Sequence, residues 1–263
     1  MKKSTTHNKH QKISIWDNRW FSIAYILICA IFGIAIIIVQ EIGKFYDDQY
    51  VWYATVTLLV KILVPIFAGL TCLYTLTSKN KKVTWLISIA LLACFIAELL
   101  GSLGISYNLI AFVVCHIVLS IYFIRIKCFS KNDWKSLIPI LVLYGAYVLF
   151  CFLWLIPRVE LISAHKVDII FKLAVPIYGA LLSFMLWRAL CTYGKPQWFL
   201  FIMGAVIFYL SDMNVMIEGI IGFGKTDPIG LFTFTWITYP IALTLVSCFS
   251  RNTLQFINWT NAI

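Results

Sequence analysis

The chain has 263 residues, of which 62% are apolar, 16% aromatic and only 12% charged. A water-soluble globule of that size carries far more charge, so the composition points to an all-α integral membrane protein. The formal net charge of +10 is spread in short clusters between apolar runs rather than along one stripe, which argues against a nucleic-acid surface and reads as a topology signal.

In chain order, residues 1–19 are polar and Lys-rich. The apolar run that follows is too long for a signal-peptide core and has no evident cleavage site, so it reads as an uncleaved first span. Runs of about twenty apolar residues predict eight transmembrane helices near 20–40, 52–77, 83–104, 107–125, 137–156, 169–191, 198–221 and 231–250. Lysine and arginine concentrate on one set of alternate ends and loops, 15 against four, leaving aside Lys61 and Lys172 inside spans. That imbalance places both termini in the cytoplasm. The eight cysteines lie in or beside apolar runs without CxxC spacing, so they read as small apolar fillers and indicate neither a disulfide framework nor a metal site.

The two halves resemble each other. "KILVPIFAGL" from Lys61 and "KLAVPIYGAL" from Lys172 share a lysine, three apolar residues, Pro-Ile and an aromatic. Each is followed, in the next span, by an acid: Glu98 in "FIAELL" and Asp212 in "YLSDMN". Gly33 and Gly145 keep a similar offset. The pattern predicts two four-helix repeats, 20–127 and 137–251, joined by a basic cytoplasmic loop over 128–136 and followed by a cytoplasmic tail over 252–263. Four spans return the chain to the same side, so the repeats are parallel about an axis along the membrane normal.

Ionisable residues inside hydrocarbon are costly and mark functional sites by default. Glu98, Asp212, Lys61, His116 and Lys172 all fall within roughly the outer half of a 30 Å core at 1.5 Å per residue, although they come from five spans. One shared cavity at that depth would produce such a layer. The competing reading is structural: an ion pair between an acid and Lys61, a snorkelling Lys172, and a hydrogen-bonded His116. Pro65 and Pro176 read as matching kinks, and the tryptophans near span ends as interface anchors. No phosphate-binding glycine loop, GxSxG elbow or HExxH is present. A two-carboxyl site without metal or cofactor remains.

At this point the chain resembles the YhhN family of eight-span membrane proteins, which includes the lysoplasmalogenases. The resemblance is carried by "VKILVPIF", an acid late in the third span, "FVVCHIVLSIYF", "VPIYGALLSFMLWRAL", "GAVIFYLSD" and "TYPIAL". "GAVIFYLSD" is the most specific, being similar to the family's Gly-Ala-x-x-Phe-x-x-Ser-Asp pattern. Two positions depart from the family: Ala97-Glu98 stands where Gly-Asp is usual, and no Gln follows Tyr239.

The resemblance implies hydrolysis of the vinyl-ether bond of a lysoplasmalogen to a fatty aldehyde and a glycerophospho-alcohol. For that reaction Glu98 is expected as the acid that protonates the vinyl carbon and Asp212 as the ionised base, because Ser211 and Lys61 could bond or pair with Asp212. His116, Tyr178, Ser211 and Tyr239 would position water or head group or support Asp212, while Lys61 or Lys172 would meet the phosphate. The partner is then a single-chain lysophospholipid in the bilayer of the cell membrane. The alternative is a lipid-binding or proton-coupled carrier protein that uses the same lysine and acid layer.

Overall fold

The computed structural model describes residues 62–76, 81–101, 105–163, 167, 169–194, 198–221, 234–235 and 237–247, with scattered helical positions between 24 and 38. Most of the first expected span, the start of the second with Lys61, and both chain ends lie outside the described residues. Where described, the chain is helical apart from short turns, with no strand. The helices are α1 (Val64–Leu76), α2 (Lys81–Gly101), α3 (Ile105–Ile126), α4 (Trp134–Phe150), α5 (Ile156–Ser163), α6 (Ile169–Leu190) and α7 (Trp198–Ile221). A last apolar helix, α8, covers Ile237–Ser247.

Among the described residues, four helical runs are long and apolar enough to cross a membrane: Tyr107–Ile126, Lys131–Leu161, Lys172–Leu190 and Trp198–Ile221. These are apolar nearly all round, so a polar face does not mark the outside as it would on a surface helix in water. Residue size and polarity divide the faces instead. On α2, Ala90, Ala93, Cys94, Ala97 and Glu98 are buried, whereas Trp85, Ile89, Leu92, Ile96 and Leu99 are exposed. Small residues on the inner face let helix backbones approach closely where no hydrophobic effect drives association.

Packing follows a chain of neighbours: α1 on α2, α2 on α3, α3 on α6 and α6 on α7, with α4 flanking α6 from outside. Helix α8 closes on α7 at Gly204, where an added Cβ would lie 3.2 Å from Leu245 Cβ and 3.3 Å from Val246 Cγ2. A larger residue would hold these helices apart.

The expected fifth span, 137–156, continues further than its sequence signals suggest. Helices α4 and α5 are joined without a break by one wide π turn, Cys151–Leu155. The N–H of Ile156 bonds back to the carbonyl of Cys151. Pro157 follows at once, and a proline ring collides with the preceding turn of a regular helix. A π turn accommodates one surplus residue, and here it carries the helix through the proline.

The basic loop between α3 and α4 is fastened to the end of α6 by a buried cluster that no sequence motif announced. Ser130 caps a short 3₁₀ turn, Lys131–Asp133, with its hydroxyl accepting from Asn132 N–H and the Asp133 carboxylate accepting from Ser130 N–H. Arg188, fully buried, donates to the Lys127 carbonyl at 2.5 Å and to Asp133 Oδ2 at 3.4 Å. Its guanidinium lies 4.2 Å from the Phe129 ring centroid. Trp187 Nε1 donates to the Asp133 carbonyl at 3.0 Å, and Lys127 pairs with Asp133 at 3.1 Å. Arg188→Ala leaves Asp133 its bonds to Lys127 and the Ser130 N–H but removes the donor to the Lys127 carbonyl. It is expected to destabilise the fold by about 1–3 kcal/mol, measured as a lower unfolding midpoint in detergent.

Candidate functional site

Five helices each place one polar side chain at a common level. Glu98 comes from α2, His116 from α3, Tyr178 from α6, Asp212 from α7 and Tyr239 from α8, and every one is buried. The centre of the cluster is Asp212 Oδ2. It lies 2.6 Å from His116 Nε2 and accepts the Tyr178 hydroxyl at 2.5 Å. The same Tyr178 oxygen is 3.0 Å from His116 Nε2. With Asp212 as a carboxylate, which only accepts, the hydrogen of this contact belongs to His116 Nε2.

Glu98 has different surroundings. It lies near Asp212, and Tyr239 sits against its carboxyl group. Among the described residues its Oε2 has no hydrogen-bond partner. The two acids therefore share one site but not one environment. Such inequality allows one carboxyl to stay protonated while its neighbour ionises.

Rings wall the cluster. Phe112 stacks along His116 with centroids 6.3 Å apart and meets Tyr239 edge-on at 5.9 Å. Phe208 stands edge-on to His116 at 5.0 Å and stacks on Tyr239 at 5.8 Å. Behind Glu98, Cys94 and Cys115 bring their sulfurs to 3.1 Å. Phe112, Phe208 and Cys94 each precede a polar site residue by four positions, one helical turn, which puts each on the same helix face as its polar neighbour. That spacing was the signal by which the walls could have been found.

The other expected site residues are placed as follows. Ser211 does not support Asp212; its hydroxyl points to the Thr235 carbonyl at 3.5 Å. Successive helical residues diverge by about 100°, so Ser211 and Asp212 face different neighbours. Lys172 pairs with Glu160 at 2.7 Å, and the same Glu160 oxygen accepts the Val167 N–H at 3.0 Å. Both partners sit at the edge of the bundle, and the pair ties α6 to the end of α5. Lys61 lies outside the described residues. Glu218, six residues beyond Asp212 on α7, joins a separate cluster in which Oε1 accepts from Asn214 at 2.9 Å and Thr235 at 2.8 Å.

A paired carboxyl site with a histidine, two tyrosines and aromatic walls suits acid–base chemistry on an apolar substrate. Comparison with known proteins finds no match among curated proteins or solved structures. The sequence pattern of the YhhN family matches residues 56–247, a stretch that contains all five residues of the cluster. By that match the chain belongs to the YhhN family.

Proposed function

We propose that this protein is a lysoplasmalogenase-like membrane hydrolase, cleaving the vinyl-ether bond of a single-chain lysophospholipid to a fatty aldehyde and a glycerophospho-alcohol. The observation that carries the reading is the convergence of Glu98 and Asp212 in one buried site with unlike surroundings. Vinyl-ether hydrolysis needs such a pair. A protonated carboxyl gives its proton to the vinyl carbon beyond the ether-bearing one, and an oxocarbenium ion forms. An ionised carboxyl alongside steadies that cation, as in paired-carboxyl glycoside hydrolysis. Asp212 is assigned the second role because two partners, His116 and Tyr178, converge on one of its oxygens. Glu98 fills the first. The aromatic faces around them offer further stabilisation to a passing cation.

The proposal includes eight spans in two parallel repeats with both termini in the cytoplasm. Contacts across the site support the repeat. Asp212 of the seventh expected span bonds His116 of the fourth, while Glu98 of the third is met by Tyr239 of the eighth. A two-fold axis along the membrane normal relates third to seventh and fourth to eighth, so it maps the third–eighth contact onto the seventh–fourth contact. The symmetry is broken where the repeated Pro-Ile-aromatic motif carries Phe67 in one half and Tyr178 in the other. Only the second supplies a hydroxyl, and that hydroxyl goes to Asp212.

Incubation of the purified protein with a panel of vinyl-ether, alkyl-ether and acyl lysophospholipids, read by mass spectrometry, tests the reading. Aldehyde and glycerophospho-alcohol are expected in equal amounts from vinyl-ether lipids alone. Aldehyde from none of them would refute it.

A further inference from the structure

We propose that His116 is the base that activates water in this reaction, with Asp212 acting on it as the orienting carboxylate. The assignment rests on the hydrolase reading above and refines it. His116 is fully buried, and its Nε2 is committed to Asp212 at 2.6 Å. With the hydrogen on Nε2, the lone pair is on Nδ1, and among the described residues Nδ1 has no hydrogen-bond partner. Glu98 Oε2 is in the same condition in the same cluster. A buried polar atom is ordinarily partnered, so two such atoms, on opposite members of an acid–base set, mark where reacting groups belong.

Asp212 is a poor candidate for the base itself. Its Oδ2 already accepts from both His116 and Tyr178, which occupies both lone pairs of that oxygen. A carboxylate holding one imidazole nitrogen as N–H, while the other meets the reacting molecule, is the division of labour of nucleophile-activating triads. Phe112 and Phe208 pack about the His116 ring, which fixes its orientation.

The steps balance. The Glu98 carboxyl gives its proton to the outer vinyl carbon, leaving an oxocarbenium ion and a Glu98 carboxylate. Water adds to the ether-bearing carbon as His116 Nδ1 takes one of its protons, giving a hemiacetal and an imidazolium. The imidazolium returns its proton to the departing glycerol oxygen, while the Glu98 carboxylate takes the hemiacetal hydroxyl proton as aldehyde forms. Both groups are then restored, and one water has been consumed.

If protonation and water attack are served by different groups, they can be separated in deuterium oxide with a lysoplasmalogen as substrate. His116→Gln is expected to lower aldehyde release by about 10²–10³-fold while recovered substrate still gains deuterium at the outer vinyl carbon, because Glu98 continues to protonate reversibly. In His116→Ala, added imidazole is expected to restore part of the aldehyde release. Either retained exchange or imidazole rescue supports the assignment. Wild-type release in His116→Gln, or loss of release in monodisperse variants with neither exchange nor rescue, overturns it. If the wild-type protein releases no aldehyde, the hydrolase reading fails as well; if it does release aldehyde, only the assignment of His116 fails.

Discussion

Asp212→Asn is expected to lower aldehyde release by about 10³–10⁴-fold while leaving the fold intact. The amide keeps the shape of the carboxylate but replaces one acceptor with a donor. With its nitrogen turned toward His116 Nε2, where Oδ2 now sits at 2.6 Å, it requires that nitrogen to accept. The imidazole hydrogen then moves to Nδ1, and the ring can no longer take a proton from water there. The same exchange in a Ser-His-Asp triad has an effect of this size through the wrong tautomer. The Tyr178 hydroxyl also loses an ionised acceptor. Steady-state aldehyde release checks the result, with size-exclusion behaviour and unfolding midpoint as controls for folding. Wild-type turnover in the folded variant would remove Asp212 from the mechanism.

Glu98→Gln is expected to lower release by about 10²–10⁴-fold, the usual worth of a positioned proton donor, and to abolish deuterium exchange into recovered substrate. A second comparison bears on the departure from the family pattern. Glu98→Asp keeps an acid but withdraws it by about 1–1.5 Å, and misplacement on that scale costs about 10²-fold in rate. Ala97, fully buried, precedes it on α2. With glycine there the neighbouring helix can approach more closely, so Ala97→Gly combined with Glu98→Asp is expected to recover part of the activity lost in Glu98→Asp. No recovery would mean that the methyl group of Ala97 does not set the depth of the acid.

Much of this site could be read from the residues alone. Acids in apolar spans have few uses, and the spacing from each Lys-x-x-x-Pro motif to its acid placed Glu98 and Asp212 at one level before any helix was packed. The structure brings them together, with His116, Tyr178 and Tyr239 added from three other helices. What the residues did not disclose was rotation. On helices apolar all round, periodicity does not say which face turns inward, so Ser211 was read beside Asp212 although it faces Thr235. Lys172 was read toward the shared layer, whereas Glu160, across the turn between α5 and α6, holds it. That pairing depends on where α5 ends, and α5 exists as observed only because the π turn carries the helix past Pro157. The Arg188 cluster was missed for a related reason. Its partners Lys127 and Asp133 belong to a loop whose charges served the topology argument, and a loop that folds back onto α6 leaves no periodic trace.

The arrangement also explains why the two acids need not behave alike. Phe67 and Tyr178 occupy equivalent places in the repeated motif, and only the tyrosine can bond a carboxylate. In the proposed repeat, side-chain differences of this kind give the two acids unequal surroundings, which is the requirement for one acid and one ionised partner at the same pH.

The central claim is proton transfer to the vinyl carbon followed by attack of water. The most direct measurement is mass spectrometry of the aldehyde released by wild-type protein from a lysoplasmalogen in deuterium oxide. One deuterium is expected on the carbon next to the aldehyde group, with one glycerophospho-alcohol formed per aldehyde. Aldehyde without that deuterium, or a fatty acid in its place, would contradict it.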